Sequence, residues 1–245
     1  MQRNIQLLTA VLMVMTLGCE TTTTTLDLLT ADTYYPLEVG KTIVYRVDSI
    51  SYYETIDNDT ASWDLRETIV EAYPDNQGRI NYRVERAISA PGANNWQISE
   101  IWSVLNNNGN IERTEQNLRF LRLISPVSEG AEWDGHVYLG DLSAVPVAEQ
   151  CNNLEFLNGW RFTYRQVGAA ASFNGLDFNN TLTVLQTGSQ NLIEFNASEE
   201  VYAEGVGMVY RFFRHYTTQN ICPECPWEAN TDCGYSVKMT VIDYN

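Results

Sequence analysis

The sequence predicts an all-β protein, with about ten antiparallel strands in one meander-like domain that is an open half-barrel or a sandwich. Three observations predict this class. Apolar and polar residues alternate with a period of two through most of the chain after residue 34. Turn-forming residues separate the alternating segments. No stretch of 12 or more residues has a clean helical period, and residues 141–157 are the one weak place for a helix.

The alternation defines each strand in turn. In the first, Ile43, Tyr45 and Val47 share one face. Outward positions of the strands carry Arg, Glu, Asn and Thr, so we expect at least one face of the sheet to contact water. The predicted strands cover residues 42–50, 63–73, 79–88, 96–105, 111–124, 160–167, 178–187, 192–195, 208–217 and 235–244.

Turn chemistry and side-chain phase support these boundaries. The Pro-Asp-Asn-Gln-Gly sequence at 74–78 is a strong turn, and Asn108-Gly109 is the best hairpin signal in the chain. The fourth strand places four apolar residues in phase: Trp96, Ile98, Trp102 and Val104.

An export signal opens the chain. Arg3 supplies a positive charge, and residues 7–17 form an apolar run about half as long as the roughly 20 residues of a membrane-spanning helix. Gly18 and Cys19 follow, which resembles the lipobox of bacterial lipoproteins with Cys19 as the lipidated residue. The lipobox usually has Leu where this chain has Thr16, and the alternative is an ordinary secretory signal. Acylation of Cys19, for instance with palmitate, would anchor the protein in a lipid bilayer.

The chain therefore divides into three parts. We assign residues 1–18 to a lipoprotein signal peptide, 19–33 to the acylated cysteine and a threonine-rich tether, and 34–245 to a single β domain. The sequence has 31 acidic and 15 basic residues and a net charge of -16. This acidic excess argues against a nucleic-acid partner and against electrostatic docking on anionic lipid.

Several stretches of the β domain carry a further resemblance: residues 35–41 leading into the strand with Tyr45, residues 117–126 with 133–135, and residues 202–210. They resemble uncharacterised lipoproteins of Bacteroidota-type bacteria. The last stretch is also similar to a turn-and-strand motif of β-rich envelope domains, some of them open half-barrels. The resemblance implies an envelope protein and brings no catalytic residue with it.

Two short segments have part of a ligand-binding motif. The Gly-Lys-Thr sequence at 40–42 ends like a phosphate-binding loop, but Tyr35 stands where the motif needs glycine and a strand follows. We interpret it as a turn before the first strand. Residues 57–60 lack the glycine and the closing glutamate of a calcium loop, so we interpret them as a hairpin tip.

The two histidines, His136 and His215, give no catalytic pattern. Asp134 and His136 would share a strand face, but no serine nucleophile motif or histidine cluster for a metal accompanies them. We interpret them as part of a polar loop around Trp133 and as a surface residue. The sequence therefore predicts no catalytic residue, no metal site and no cofactor.

Carboxylates are numerous on the predicted strands, and we interpret them as solvated strand faces. The alternative is a carbohydrate-active enzyme that uses two facing acids. The acids in question are Glu67, Glu71, Glu112, Glu115, Glu199, Glu200 and Glu204.

Aromatic residues make up 11% of the chain, with 14 Tyr, 8 Phe and 6 Trp. Core packing and cross-strand pairing account for such a content in an antiparallel sheet. The alternative is a cleft with aromatic walls that binds a glycan or a lipid.

Four cysteines remain after Cys19: Cys151, Cys222, Cys225 and Cys233. An even number in an exported protein favours disulfides over a zinc site or a redox pair. Only two residues separate Cys222 from Cys225, and we judge a ring of this size too tight. We therefore predict that one of them bonds Cys233 and that the other bonds Cys151.

These observations predict a non-enzymatic binding or structural module of the cell envelope, on the outer rather than the inner membrane. Its ligand would be an envelope protein, a glycan or a lipid. One alternative is a carrier that holds lipid or a lipoprotein's acyl chains on a concave apolar face, and another is the carboxylate-dependent enzyme. A large apolar cavity, a polar groove or neither would distinguish the three.

Overall fold

A computed structural model describes residues 28–53, 56–142 and 154–245. It confirms the all-β class, with twelve strands in these ranges rather than about ten. Short helical segments occur at Ala31–Thr33, at Glu155–Leu157 and in α1 (Trp227–Asn230). The strands are β1 (Thr42–Tyr53), β2 (Ile56–Pro74), β3 (Ile80–Ser89), β4 (Gln97–Asn107), β5 (Asn110–Glu115), β6 (Leu118–Leu123), β7 (Glu132–Trp133), β8 (Phe162–Phe173), β9 (Leu176–Gln190), β10 (Glu194–Ala203), β11 (Gly207–Thr217) and β12 (Cys233–Tyr244).

All twelve strands belong to one antiparallel sheet, in the order β6-β5-β4-β3-β2-β1-β12-β11-β10-β9-β8-β7. Neighbours in the sheet are also neighbours in sequence, except at the centre, where β1 pairs with β12. The predicted meander is therefore confirmed, as two meandering halves that join through these two strands. The sheet is single and open, so the two-sheet sandwich alternative is not formed.

The additional strands have identifiable causes. Predicted strand 111–124 is two strands, because Gln116 and Asn117 adopt positive φ angles of 48° and 68° and form a tight turn. The two-residue strand β7 is too short to give an alternation signal. The short predicted strand at 192–195 is the start of β10, which continues to Ala203.

The sheet curves strongly, so that its two end strands approach each other. The Leu121 amide on β6 donates to the carbonyl of Gly135, just after β7, at 2.9 Å. The indole of Trp133 on β7 donates to the carbonyl of Leu121, also at 2.9 Å. A side chain at Gly135 would place its Cβ 2.2 Å from the ring of Phe162, so this close approach requires glycine.

Cross-strand register defines which side chains face the inside of the curve. Val47 on β1 lies opposite Trp63 on β2 and Met239 on β12. Met239 lies opposite Arg211 on β11, and Arg211 lies opposite Glu200 on β10. Because directly opposed residues share a face, this row brings apolar side chains and an arginine–glutamate pair to the same inner face.

The segment before β1 packs against the sheet. Ala31 and Tyr34 are fully buried, the Ala31 amide donates to Ser125 Oγ at 2.9 Å, and the Val127 amide donates to the Leu29 carbonyl at 2.7 Å. The packed chain therefore includes residues that we predicted as tether, because composition alone does not separate them from the threonine run.

The signal peptide, Cys19 and Cys151 lie outside the described residues. Within those residues, the helices are all too short or too polar to span a membrane.

Candidate functional site

The inner face of the sheet forms a solvent-open cavity of about 500 Å³. Side chains from β1–β6 line it on one side, and side chains from β11 and β12 line it on the other. Ile88 at the lining is 40% exposed, so the cavity opens to solvent. Its aromatic walls are Trp63, Trp102, Phe120, Phe213 and Tyr235.

A cluster of buried charges adjoins this cavity, and Glu200 is at its centre. Glu200 is fully buried, and Oε1 lies 3.4 Å from Arg122 Nη1, 3.7 Å from Arg211 Nε and 3.9 Å from Arg113 Nη2. The Tyr202 hydroxyl donates to Oε2 at 2.6 Å. The strands β5 and β6 lie far from β10 in the sheet order, so the curvature of the sheet is what assembles this cluster.

Glu115 is the second carboxylate of the cluster. It accepts hydrogen bonds from Arg113 Nε at 2.7 Å and from Arg122 Nε at 3.1 Å. Burial raises the pKa of a carboxyl group, but the surrounding guanidiniums outweigh burial and hold the pKa values of Glu115 and Glu200 below their usual range. Both are therefore ionised at neutral pH, and the cluster contains three guanidinium cations and two carboxylate anions.

Arg211 is the guanidinium that these carboxylates compensate least. Burial lowers the pKa of Arg211, and Glu200 offsets that effect only in part. For Arg113, by contrast, burial is outweighed by Glu115 and other neighbours, so that its pKa rises. The buried Nε of Arg211 has no hydrogen-bond partner among the described residues. The side chain keeps 21% of its surface exposed and lines the cavity.

A second charged group lines the cavity from β3 and β4. Arg86 donates from Nε to Glu67 at 2.9 Å and also pairs with Glu100. Its guanidinium stacks 3.6 Å from the ring centroid of Trp102. Gln116 donates to the other oxygen of Glu100 at 2.7 Å. Two carboxylates therefore compensate this arginine, unlike Arg211.

The structure places His136 outside the cavity, in an aromatic cluster rather than a polar loop. Its ring lies 5.2 Å from that of Phe162 and 5.7 Å from that of Trp160. Nδ1 lies 3.1 Å from the Leu157 carbonyl. Burial lowers the pKa of His136 to about 4. The interpretation of His136 as part of a polar loop is wrong, because the segment around residue 157 folds back over this histidine.

His215 is also buried, so the prediction of a surface position is wrong. Its Nδ1 lies 2.7 Å from Asn196 Oδ1, and its ring stacks on Phe156 with centroids 4.0 Å apart. The residues that cover it come from a segment between β7 and β8, about 60 positions earlier in the chain. Alternation within one strand gives no sign of such a covering segment.

The solvated interpretation is wrong for Glu112 and Glu200, which are 3% and 0% exposed, and for Glu115, whose side chain is 13% exposed within the charged cluster. Glu112 pairs with Arg119 and accepts hydrogen bonds from Asn107 at 2.9 Å and from the Tyr138 hydroxyl at 2.7 Å. These acids are buried because cationic and hydrogen-bonding partners surround them, some near in sequence, as Arg119 is to Glu112, and some distant, as Arg122 is from Glu200. Their positions in the alternation resemble those of ordinary outward glutamates.

Cys222 and Cys225 form a disulfide, so the prediction that one of them bonds Cys233 and the other bonds Cys151 is wrong in both parts. Their Cα atoms are 5.3 Å apart, and the Cys225 amide donates to the Cys222 carbonyl at 3.1 Å. A tight turn thus brings residues three apart within the range that a disulfide spans. Cys233 is disulfide-bonded as well, and its partner lies outside the described residues.

The structure places one of the two partial loop motifs in a turn and the other in a strand. Gly40 has a φ angle of 98° and β1 begins at Thr42, which confirms the turn predicted at 40–42. Residues 57–60 are not a hairpin tip, because β2 already begins at Ile56.

In the part of the chain that the structure describes, no three or more His, Cys, Asp or Glu side chains converge in a way that could hold a metal ion. No protein-family model matches the chain, and no curated protein matches it. The inner cavity and its charged cluster are therefore the features on which a functional interpretation rests.

Proposed function

We propose that this protein is a non-enzymatic lipoprotein of the cell envelope, anchored through Cys19 to the outer membrane, that binds a small ligand in the inner cavity. The observation that carries the proposal is the cavity itself. Its volume of about 500 Å³ falls within the roughly 300–1,000 Å³ of small-molecule sites. Its lining combines many aromatic and aliphatic side chains with a few charged ones, as in such sites.

The carboxylates that line the cavity favour a binding function over glycoside hydrolysis. A glycosidase needs one carboxyl group with a raised pKa to act as general acid. At the cavity, guanidiniums hold the pKa of Glu115 low, and Glu100 pairs with Arg86 and accepts from Gln116. The ionised carboxylate of Glu115 is a poor proton donor, and the hydrogen bonds of Glu100 already engage both of its oxygens.

A carrier of lipid or of lipoprotein acyl chains is the second candidate. The aliphatic part of the lining, which includes Leu65, Ile88 and Val237, favours it. A two-chain phospholipid is the ligand that distinguishes a carrier from a site for one small molecule, because the carrier would accommodate both chains.

The experiment uses the full chain with Cys19→Ser, so that neither acyl chains nor detergent compete for the cavity. The neutral fluorophore N-phenyl-1-naphthylamine is the probe. We expect saturable binding with one probe per chain. The substitution Val237→Trp fills the cavity and should weaken binding at least tenfold. Thr240→Trp is the matched control, since it adds the same side chain to the opposite face of β12.

Absence of saturable probe binding, or equal losses in both tryptophan variants, would contradict the proposal. Displacement of the probe by a single-chain amphiphile but not by a two-chain phospholipid supports a small-ligand site. Displacement by both at similar concentrations supports the carrier.

A further inference from the structure

We propose that the ligand of the inner cavity is an amphipathic monoanion, whose carboxylate pairs with the guanidinium of Arg211 while its apolar body contacts the aromatic wall. This inference rests on the binding function proposed above and adds the chemical class of the ligand.

The first argument is that Arg211 shares its only ion-pair partner among the described residues. That partner is Glu200, at 3.7 Å, and no hydrogen bond joins the two. The carboxylate of Glu200 also contacts Arg113 and Arg122 through Oε1 and accepts from Tyr202 through Oε2. Glu200 is therefore already committed to other donors.

The second argument is that the nearby carboxylates are committed too. Glu115 accepts from Arg113 and Arg122, and Arg86 pairs with its own two carboxylates across β3. A guanidinium has five N–H donors, and buried donors without acceptors cost free energy. An incoming carboxylate supplies two acceptor oxygens in the geometry that matches the guanidinium fork.

The third argument concerns charge. The buried cluster contains three arginines and two glutamates, so its net charge is positive by one. One negative charge on a ligand balances it. Arg211 is the place of the deficit, because its ion-pair distance to Glu200 is 3.7 Å, whereas Arg113 Nε and Arg122 Nε lie 2.7 Å and 3.1 Å from Glu115. The opposite directions of the pKa shifts at Arg113 and Arg211 agree with this assignment. The other charged group at the cavity, Arg86 with Glu67 and Glu100, has an excess of carboxylate and does not attract an anion. A monoanion at Arg211 therefore fits better than a dianion.

The fourth argument places the apolar body of the ligand. Phe213 follows Arg211 by two residues on β11, so both side chains face the cavity. The ring of Tyr235 stacks on that of Phe213 with centroids 5.0 Å apart, and Val237 lies opposite Phe213 on β12. A ligand with its carboxylate at Arg211 thus has an aromatic and aliphatic surface directly beside it.

The test compares ten-carbon amphiphiles that differ only in the head group: decanoate, decanol, decylamine and decyl phosphate. Each displaces N-phenyl-1-naphthylamine from the full chain with Cys19→Ser. We expect decanoate to bind at least tenfold more tightly than decanol, and decylamine to bind more weakly than either. Decyl phosphate, a partial dianion at neutral pH, should not exceed decanoate.

Arg211→Gln should reduce the ratio of decanoate to decanol affinity to about one, and Arg211→Lys should leave an intermediate ratio. Arg165→Gln removes an exposed arginine from β8 and is the matched control, in which the ratio should not change. The urea midpoint of Arg211→Gln should equal or exceed that of the parent, because two arginines and two glutamates remain in the cluster.

Equal affinities for decanoate and decanol in the parent protein would overturn the inference and leave the binding function intact. A decanoate preference that survives in Arg211→Gln would also overturn it. A lower urea midpoint for Arg211→Gln would mean that this arginine serves the fold rather than the ligand. Failure of the probe itself to bind would instead contradict the proposed function.

Discussion

Glu200 offers the sharpest test of the buried charge cluster. The substitution Glu200→Gln keeps the size of the side chain and removes its charge. Three guanidiniums then remain around Glu115 as the only carboxylate of the cluster, so uncompensated positive charge is buried. We expect a large loss of stability, since removing one partner of a buried ion pair costs far more than a surface change.

The magnitude follows from the contacts. Each guanidinium lies 3.4–3.9 Å from Oε1. At such separations and an effective dielectric constant of about 20, each attracts the carboxylate by about 4–5 kcal/mol. The desolvation of the carboxylate and the repulsion among the arginines offset most of that sum. Measured losses on breaking buried pairs are about 3–5 kcal/mol, and we expect a decrease of that size in the free energy of unfolding.

Urea denaturation at pH 7, followed by tryptophan fluorescence, measures this decrease. The matched control is Glu199→Gln, the same change on the opposite face of β10, for which we expect an effect within about 0.5 kcal/mol. Because the folded-state pKa of Glu200 is lowered from its ordinary value of 4.5, the ionised carboxylate stabilises the fold above that pH. The difference between parent and variant should therefore shrink as pH falls below 4.5. A loss under about 1 kcal/mol at pH 7, or equal losses in both variants, would refute the reasoning.

Three further predictions concern other parts of the chain. Cys19→Ser should move the protein from the membrane fraction to the soluble envelope fraction; unchanged fractionation would contradict the anchor. Since burial lowers the pKa of His136 from 6.5 to about 4, the folded state should lose about 2 kcal/mol between pH 7 and pH 4.5 through this residue. His136→Phe should remove that part of the pH dependence, and urea midpoints at both pH values test it. Non-reducing peptide mapping should find Cys222 bonded to Cys225, and a link from either to a third cysteine would show the pairing to be wrong.

Local chemistry made one part of the fold predictable. Asn108-Gly109 joins β4 to β5 with φ angles of 54° and 88°, and Asn107 lies opposite Asn110 as the hairpin signal requires. Gln116 and Asn117 take up similar angles without a glycine, so composition gave no sign of the turn between β5 and β6.

Side-chain phase was predictable only where the strands are regular. Ile98 was expected to share a face with Trp102 and Val104, but it is 62% exposed. The register shifts at this point, because Arg86 lies opposite Glu100 while the adjacent Ala87 lies opposite Ile98. One extra residue in β4 reverses the phase, and a period of two cannot reveal a bulge.

The charged cluster was beyond sequence reasoning for a different reason. Arg122 and Glu200 are 78 positions apart. Glu200 shares its strand face with the polar residues Asn196 and Ser198, and Arg122 lies in a strand that carries apolar residues on both faces. Whether such a position faces water or the inside depends on the curvature of the whole sheet. The one sequence signal for a buried arginine is the presence of large apolar residues beside it in the strand, as in the Arg-Phe-Phe sequence that begins at Arg211.

The pairing of β1 with β12 has a consequence for how the chain reaches its folded state. Synthesis from the N-terminus delivers β1 early and β12 last of the described strands. Until β12 arrives, β1 has an unpaired edge, and the inner apolar face of the first six strands lacks its covering half. Closing a loop of nearly 200 residues is slow, and an exposed edge of this kind invites aggregation. The central pairing therefore makes completion of the sheet a late event in folding, and it makes protection by chaperones valuable in the interval.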